Sequence, residues 1–317
     1  HGLIQARDAG EHWSDLADET IREMAAAAER ETEDRYGPRP GTWAIFAMGK
    51  LGGRELTAGS DLDIIVIYDA DPMVAQTWYT RFTQRLITAL TAPTAEGDLY
   101  EVDMRLRPSG GAGPVAVSVP AFERYQHQDA WTWEHMALTR ARVIAGPDDL
   151  KQQVEKAIAD TLTRPRDKAK IAADVADMRA RLAKERPSSN PWEMKHVRGG
   201  LVELESIAQF LQLAHGAVHP EILTPHTRGS LSRIAEANLL PPETADMLVR
   251  AIALIHNLTQ VIRVCVEGVF NTAEASSGLR SLLARAGDAP DFPALEAELL
   301  ENQRKVHEAF ESIVTPS

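Results

Sequence analysis

Apolar positions along the chain follow a mixed period at first and a purely helical one later. Between residues 12 and 35, Trp13, Leu16, Ile21, Met24 and Ala28 recur at helical spacing, and the turn-forming "GPRPG" at 37–41 stops the run. "TWAIFAM" (42–48) and "LDIIVIYD" (62–69) are short, apolar and partly β-branched, with turn residues on both sides. They predict strands of a mostly buried sheet. Trp78, Phe82, Leu86, Ala89 and Leu90 mark an amphipathic helix over 73–92. "DLYEVDMRLRP" (98–108) alternates instead. Tyr100, Val102, Met104 and Leu106 fall on one side, Glu101, Asp103, Arg105 and Arg107 on the other, which predicts a long half-buried strand. A further strand is expected at 113–119.

Past Pro120 the strand signals fade. Helical patterns follow at 120–143, 148–162, 167–185, 201–215, 226–237, 242–268, 278–287 and 292–312, with a loop at 186–200. The fold class expected is α+β: a mixed β-sheet head with flanking helices, followed by an all-α helical bundle. The weak linker "AGPDD" (145–149) places the boundary within 145–165, drawn as 1–150 for the head and 151–317 for the bundle.

Composition narrows the function classes. The 317 residues carry a net charge of -12, which argues against broad attraction to nucleic acid. The single cysteine, Cys265, excludes an intramolecular disulfide framework and fits a reducing, cytoplasmic compartment; its apolar helical context predicts a buried thiol. No run of about eighteen apolar residues suggests a membrane span, and the N-terminus lacks the form of a secretory signal. The chain starts at His1, so we expect a piece of something longer.

The candidate chemistry lies in "MGKLGGRELTAGSDLDIIVIYD" (48–69). On an extended backbone, residues two apart share a face, so Asp61 and Asp63 project together. Two carboxylates that close to an apolar core are costly unless a positive group joins them. A divalent cation suits the role, because Mg²⁺ prefers carboxylate, water and phosphate oxygens. Asp103, on the polar side of another strand, offers a third carboxylate, and three carboxylates commonly hold two metal ions about 3.5–4 Å apart for in-line phosphoryl displacement. Gly49, Gly52 and Gly53 allow close backbone approach to phosphate, Lys50 adds a charge, and a short helix in "GRELT" would point amides at it. This is not a Walker A loop: Ala44 stands where its first glycine belongs, and Leu51 follows Lys50 where Ser or Thr is needed. A lone Asp-x-Asp is often only a solvated turn; the glycine turn and the strand bearing Asp103 move the balance to catalysis.

With these residues the head resembles the nucleotidyltransferase superfamily, with Gly49-Lys50 in the place of its usual Gly-Ser. Four blocks, "GKLGGRELTAGSDLDIIVIY", "LYEVDMRLRPSGGAGP", "YQHQDAWTWEHMALTRARVIAG" and "RGGLVELESIAQFLQL", resemble in order those of glutamine synthetase adenylyltransferases. The resemblance covers 42–215 strongly and the later helices loosely. It implies an enzyme that attaches AMP from ATP to a tyrosine of glutamine synthetase, in a family whose second half removes AMP by phosphorolysis. It also implies the PII signal protein and glutamine as effectors. "AWTWEH" (130–135) looks like the adenylylating, C-terminal half of a longer two-half chain.

Carried over by resemblance, Asp61, Asp63 and Asp103 look like the metal ligands for Mg²⁺, with two ions expected. Gly49, Lys50, Gly52, Gly53 and Ser60 look like the nucleotide-phosphate turn. Arg105 and Arg107 share the side of Asp103, and a guanidinium fork suits polyphosphate oxygens; the plainer alternative is a solvated strand face. The last block departs from the family in reading Glu203-Leu204-Glu205-Ser206, with serine replacing a large aromatic. Residues two apart on a helix lie about 200° apart, so Glu203 and Glu205 cannot both face one site. Glu205 is the candidate for the nucleotide, with a salt-bridged or solvated role as the alternative. Trp131 and Trp133 are expected as packing residues rather than an adenine stack. Two rival readings remain: a small-molecule nucleotidyltransferase, which product mass would separate, and a silent nucleotide or glutamine sensor, against which the three intact carboxylates argue.

Overall fold

The computed structural model describes residues 6–95 and 97–314. The chain divides into two compact units, one spanning Glu11–Arg164 and the other running from Pro165, joined by the described residues before Glu11. The division falls past residue 150, so the helix Asp148–Leu162 stays with the head.

The head opens with α1 (Ala6–Tyr36), which enters β1 (Thr42–Ala47). A single helical turn, α2 (Gly49–Gly52), leads to β2 (Leu62–Asp69) and then α3 (Pro72–Thr91). A small hairpin of β3 (Pro93–Thr94) and β4 (Gly97–Asp98) precedes β5 (Val102–Asp103) and β6 (Ala116–Ser118). The unit closes with α4 (Val119–Gln128), α5 (Thr132–Leu138), β7 (Arg142–Ala145) and α6 (Asp148–Leu162). β1 pairs antiparallel with β2 and with β7, while β5 and β6 run parallel to successive halves of β2.

Both faces of this sheet are covered, which explains the unbroken Ile64-Ile65-Val66-Ile67 run. Ile64, Val66 and Tyr68 join one core with Trp43, Phe82 and Leu86, and with Ala17, Ile21, Ala25 and Ala28 of α1. Tyr68 stacks on Tyr79 at 4.4 Å, and Trp43 meets Phe82 at 5.0 Å. On the opposite face Phe46 packs edge-on against Phe122 of α4 at 5.5 Å. Each such fully buried side chain contributes about 1.5–3 kcal/mol.

Three expectations are corrected here. The alternating 98–108 segment is a strand only at Val102–Asp103 and then turns, because Pro108, Gly110 and Gly111 follow it into a loop. The helix read over 120–143 does not reach its end: residues 142–145 form β7, whose pairing partner lies about a hundred residues earlier in β1. Trp13 and Leu16 are exposed, and the buried stripe of α1 begins instead with Ser14, Ala17 and Asp18.

The second unit holds α7 (Lys168–Glu185), α8 (Leu201–His215), α9 (Thr227–Glu236), α10 (Pro242–Cys265), α11 (Ser277–Ala286) and α12 (Phe292–Val314). Asp167 caps the start of α7, its side chain accepting from the Ala169 and Lys170 amides. By length and composition α10 would reach across a membrane. Here it is the helix against which α8, α9, α11 and α12 pack, and it buries Leu248, Ile252, Ile255 and Leu258. Cys265, expected to be buried, is exposed at its end. In the 186–200 loop, Trp192 stacks on Phe292 at 5.3 Å and meets Phe270 at 4.9 Å.

Candidate active site

Asp61 and Asp63 stand at the entry of β2, on the face opposite Leu62 and Ile64. The parallel register of β5 sets Asp103 directly beside Asp63. One carboxylate oxygen from each of Asp61, Asp63 and Asp103 lies within 4.8 Å of the others, the one such His/Cys/Asp/Glu group among the described residues. Asp61 is exposed, and the other two are half-buried. Three like charges this close repel one another, and a hard divalent cation suits the donor set. We find that the residues fit such an ion.

Part of the repulsion is already relieved by Arg105. Its main-chain N–H donates to Asp103 Oδ1 at 2.8 Å, its Nε donates to Oδ2 at 2.8 Å, and its Nη2 also bonds Oδ2. These hydrogen bonds hold the Asp103 carboxyl below its ordinary value of 3.8, with burial opposing them. Arg105 thus lies at the acidic cluster through a turn rather than along a strand. Arg107 does not share that place. Its guanidinium turns back to the Met104 carbonyl at 2.7 Å and more loosely to that of Gly113 at 3.4 Å, bracing the 104–113 loop. The strand ends at Asp103, so the two-residue period that grouped the arginines no longer applies.

The glycine turn is built against the same carboxylates. Gly49 has φ +53, and a Cβ there would lie 2.1 Å from Asp63 Oδ2. The Met48 amide donates to the Asp63 carbonyl at 2.8 Å, tying the turn to β2. Gly52 is closed in from the other side, since a Cβ would sit 1.9 Å from the Arg140 carbonyl. The helical turn therefore starts at Gly49 and takes in Lys50, with Gly53 as its C-cap, rather than forming in "GRELT". Arg54, at φ +57, leaves the helical path. The Ser60 hydroxyl meets Thr57 Oγ1 at 2.9 Å and accepts from the Thr57 amide at 3.1 Å, closing the 57–60 turn.

Glu205 lies half-buried on α8, in the helical unit. Its neighbour Glu203 is committed there: it accepts from Arg179 Nε at 2.9 Å and the Gly199 amide at 2.9 Å, and meets His307 Nδ1 at 3.1 Å. The Trp131 and Trp133 side chains, expected as packing residues, are 70% and 43% exposed. Their helix is fixed by buried Glu134, which accepts from the Trp131 amide at 2.9 Å and from the Tyr125 hydroxyl at 2.7 Å.

Two pairs flanking the turn escaped the sequence reading. Arg140 and Glu55 form an ion pair with both side chains 5% exposed. Arg142 pairs with Asp18 of α1 through two hydrogen bonds, at 2.7 and 3.0 Å. The available signal was Asp18 itself, a charged residue at helical spacing from Ser14, Ile21 and Ala25 on the buried stripe of α1.

The family described as glutamate-ammonia ligase adenylyltransferase matches residues 1–157, and the GlnD PII-uridylyltransferase family matches residues 168–314. A protein of Xanthobacter autotrophicus named bifunctional glutamine synthetase adenylyltransferase/adenylyl-removing enzyme is 46% identical, over 99% of this chain and 33% of its own length. Proteins of the same name from Bradyrhizobium sp. and Agrobacterium fabrum are each 44% identical, again over 99% of this chain and 33% of their own. The chain spans about a third of the length of these curated relatives.

Proposed function

This chain belongs to the glutamate-ammonia ligase adenylyltransferase family, and from that premise we propose that it transfers AMP from Mg²⁺-bound ATP to a tyrosine of glutamine synthetase. The observation that carries the reading is the convergence of Asp61, Asp63 and Asp103 beneath the Gly49 turn. These three would hold the metal, which supplies neutralisation of charge growing on the α-phosphate and the leaving pyrophosphate. The Gly49–Gly53 backbone and Lys50 would receive the phosphates, and Arg105 would turn its guanidinium from Asp103 to the same oxygens. The acceptor tyrosine would attack in line, so no protein nucleophile is required. By the same reading the enzyme works in the cytoplasm, with the PII signal protein and glutamine as its effectors.

The relatives' names include adenylyl removal, a reaction that would draw on the same carboxylates. We assign attachment from the "AWTWEH" segment, because by resemblance the removing half reads Trp-Glu-Arg where this chain has Trp133-Glu134-His135. Two parallel incubations test this. One supplies unmodified glutamine synthetase with Mg-ATP; the other supplies adenylylated glutamine synthetase with phosphate and Mg²⁺. AMP incorporation in the first should outrun ADP release in the second, and the reverse order assigns the chain to removal.

A further inference from the structure

We propose that Arg142, anchored by Asp18, is a positioning residue that sets the glycine turn against the acidic edge. α2 is a single turn with no helix after it; the amides of Gly53, Glu55 and Arg54 reach the Gly49, Lys50 and Leu51 carbonyls, and the last carbonyls look to side chains for further donors. Arg142 supplies the donors. Its Nη2 reaches the Leu51 carbonyl at 3.0 Å and its Nε the Gly52 carbonyl at 3.3 Å. A cation at the negative end of a helical turn is also favourable electrostatically. The same guanidinium is held by both Asp18 oxygens, at 2.7 and 3.0 Å, and the Asp18 side chain is almost fully buried. Few side chains other than arginine present a rigid fork that bonds a carboxylate and two carbonyls together.

The neighbouring residues make the arrangement one-sided. The Arg140 carbonyl presses on Gly52, and the Arg140 side chain pairs with Glu55 just beyond the turn. Residues 140–142 therefore hold the turn from the side of β7, while Asp63 meets Gly49 on the other. If Arg142 lets go, the Gly52 carbonyl loses its side-chain donor, the Leu51 carbonyl is left with the Arg54 amide at 3.1 Å, and the turn that sets Gly49 beside Asp63 loosens on its β7 side. Arg142 itself touches no reacting atom in this account. It acts through the turn, and a reacting group misplaced by about 1 Å can cost about 10²-fold.

The inference rests on the nucleotide reading of the turn, and its test keeps the two separable. The chain is prepared as wild type, Arg142→Gln and Asp18→Asn. Mg-ATP binding is measured by calorimetry, KM for Mg-ATP by initial rates, and amide exchange of peptides covering 48–57 by mass spectrometry. We expect Arg142→Gln to speed exchange in 48–57 and raise KM about 10-fold, with a smaller change of the same sign in Asp18→Asn. A merely structural role would reduce the folded fraction and leave KM unchanged, and that result overturns the proposal. If Arg142→Gln does not fold, Asp18→Asn carries the same readings, because it keeps the arginine and removes only its anchor. Wild-type chain that binds no Mg-ATP overturns the nucleotide reading and this inference together; tight binding that is indifferent to both substitutions, with unchanged exchange in 48–57, overturns this inference alone.

Discussion

Two regions of the molecule hold carboxylates at the start of a regular element, and they treat them in opposite ways. In the helical unit, Glu203 is almost fully buried in the first turn of α8, and Arg179, the Gly199 amide and His307 surround it with donors. At the head of β2, Asp61, Asp63 and Asp103 crowd together, with Arg105 bonded to Asp103, and the cluster is half open to solvent. A satisfied buried carboxylate fixes a structure; a surplus of carboxylate at an accessible edge leaves capacity for a cation. The contrast separates structural from functional acids, where residue type alone does not.

The largest expected effect tests the open end of that contrast. Asp61→Asn and Asp63→Asn should each lower AMP transfer at least about 10³-fold while leaving the thermal midpoint close to wild type, because metal-borne charge stabilisation is worth several kcal/mol. Steady-state rates in saturating Mg²⁺ alongside a melting curve check it, and near-wild-type turnover removes these residues from the mechanism.

The closed end should fail in the other way. Glu203→Gln leaves Arg179 without its charge partner in a buried place, a change that typically costs about 3–5 kcal/mol. Denaturant unfolding should report that loss, with KM for Mg-ATP unchanged in the folded protein. A raised KM with unaltered stability would instead place Glu203 among the nucleotide ligands.

Acid should divide the regions more gently. Burial, followed by nearby cations such as Lys195 for His196 and Lys168 for His215, holds both imidazoles below their ordinary 6.5. The folded unit then resists protons that the unfolded chain accepts. Stability is full above about pH 6.5 and declines as pH falls from there towards the folded values. Asp103 is held below 3.8 chiefly by Arg105, so its contribution stays complete above 3.8 and is lost only as pH falls further, through its folded value. Amide protection, taken relative to the intrinsic exchange rate at each pH, should therefore fall around 196 and 215 between pH 7 and about pH 5 and stay level at 61–63 and 103; loosening of the acidic edge first would contradict the assignment.

Much of this was readable in the chain because the forces are local. The limits of β2 follow from its turn residues and apolar run, and α3 from Trp78, Phe82, Leu86 and Leu90 at helical spacing. The proximity of Asp61 to Asp63 needs only the strand period. What stayed hidden depends on distant partners. "RVIA" follows good helix formers and becomes β7 only because β1 offers it an edge. Alternation over 98–108 gave no sign that Arg105 would fold onto Asp103, or that Arg107 would spend its donors on backbone carbonyls. The Asp18–Arg142 pair joins residues more than a hundred positions apart, beyond the reach of any spacing rule.

We propose that the acidic edge of this chain moves AMP onto glutamine synthetase. Intact mass of glutamine synthetase, taken before and after incubation with the chain and Mg-ATP, tests it most directly, with Asp61→Asn run in parallel. The account predicts an increase of one adenylyl group per modified subunit, placed on a tyrosine by peptide mapping and missing with Asp61→Asn. An unchanged mass with wild-type chain, or an equal increase with the variant, would contradict it.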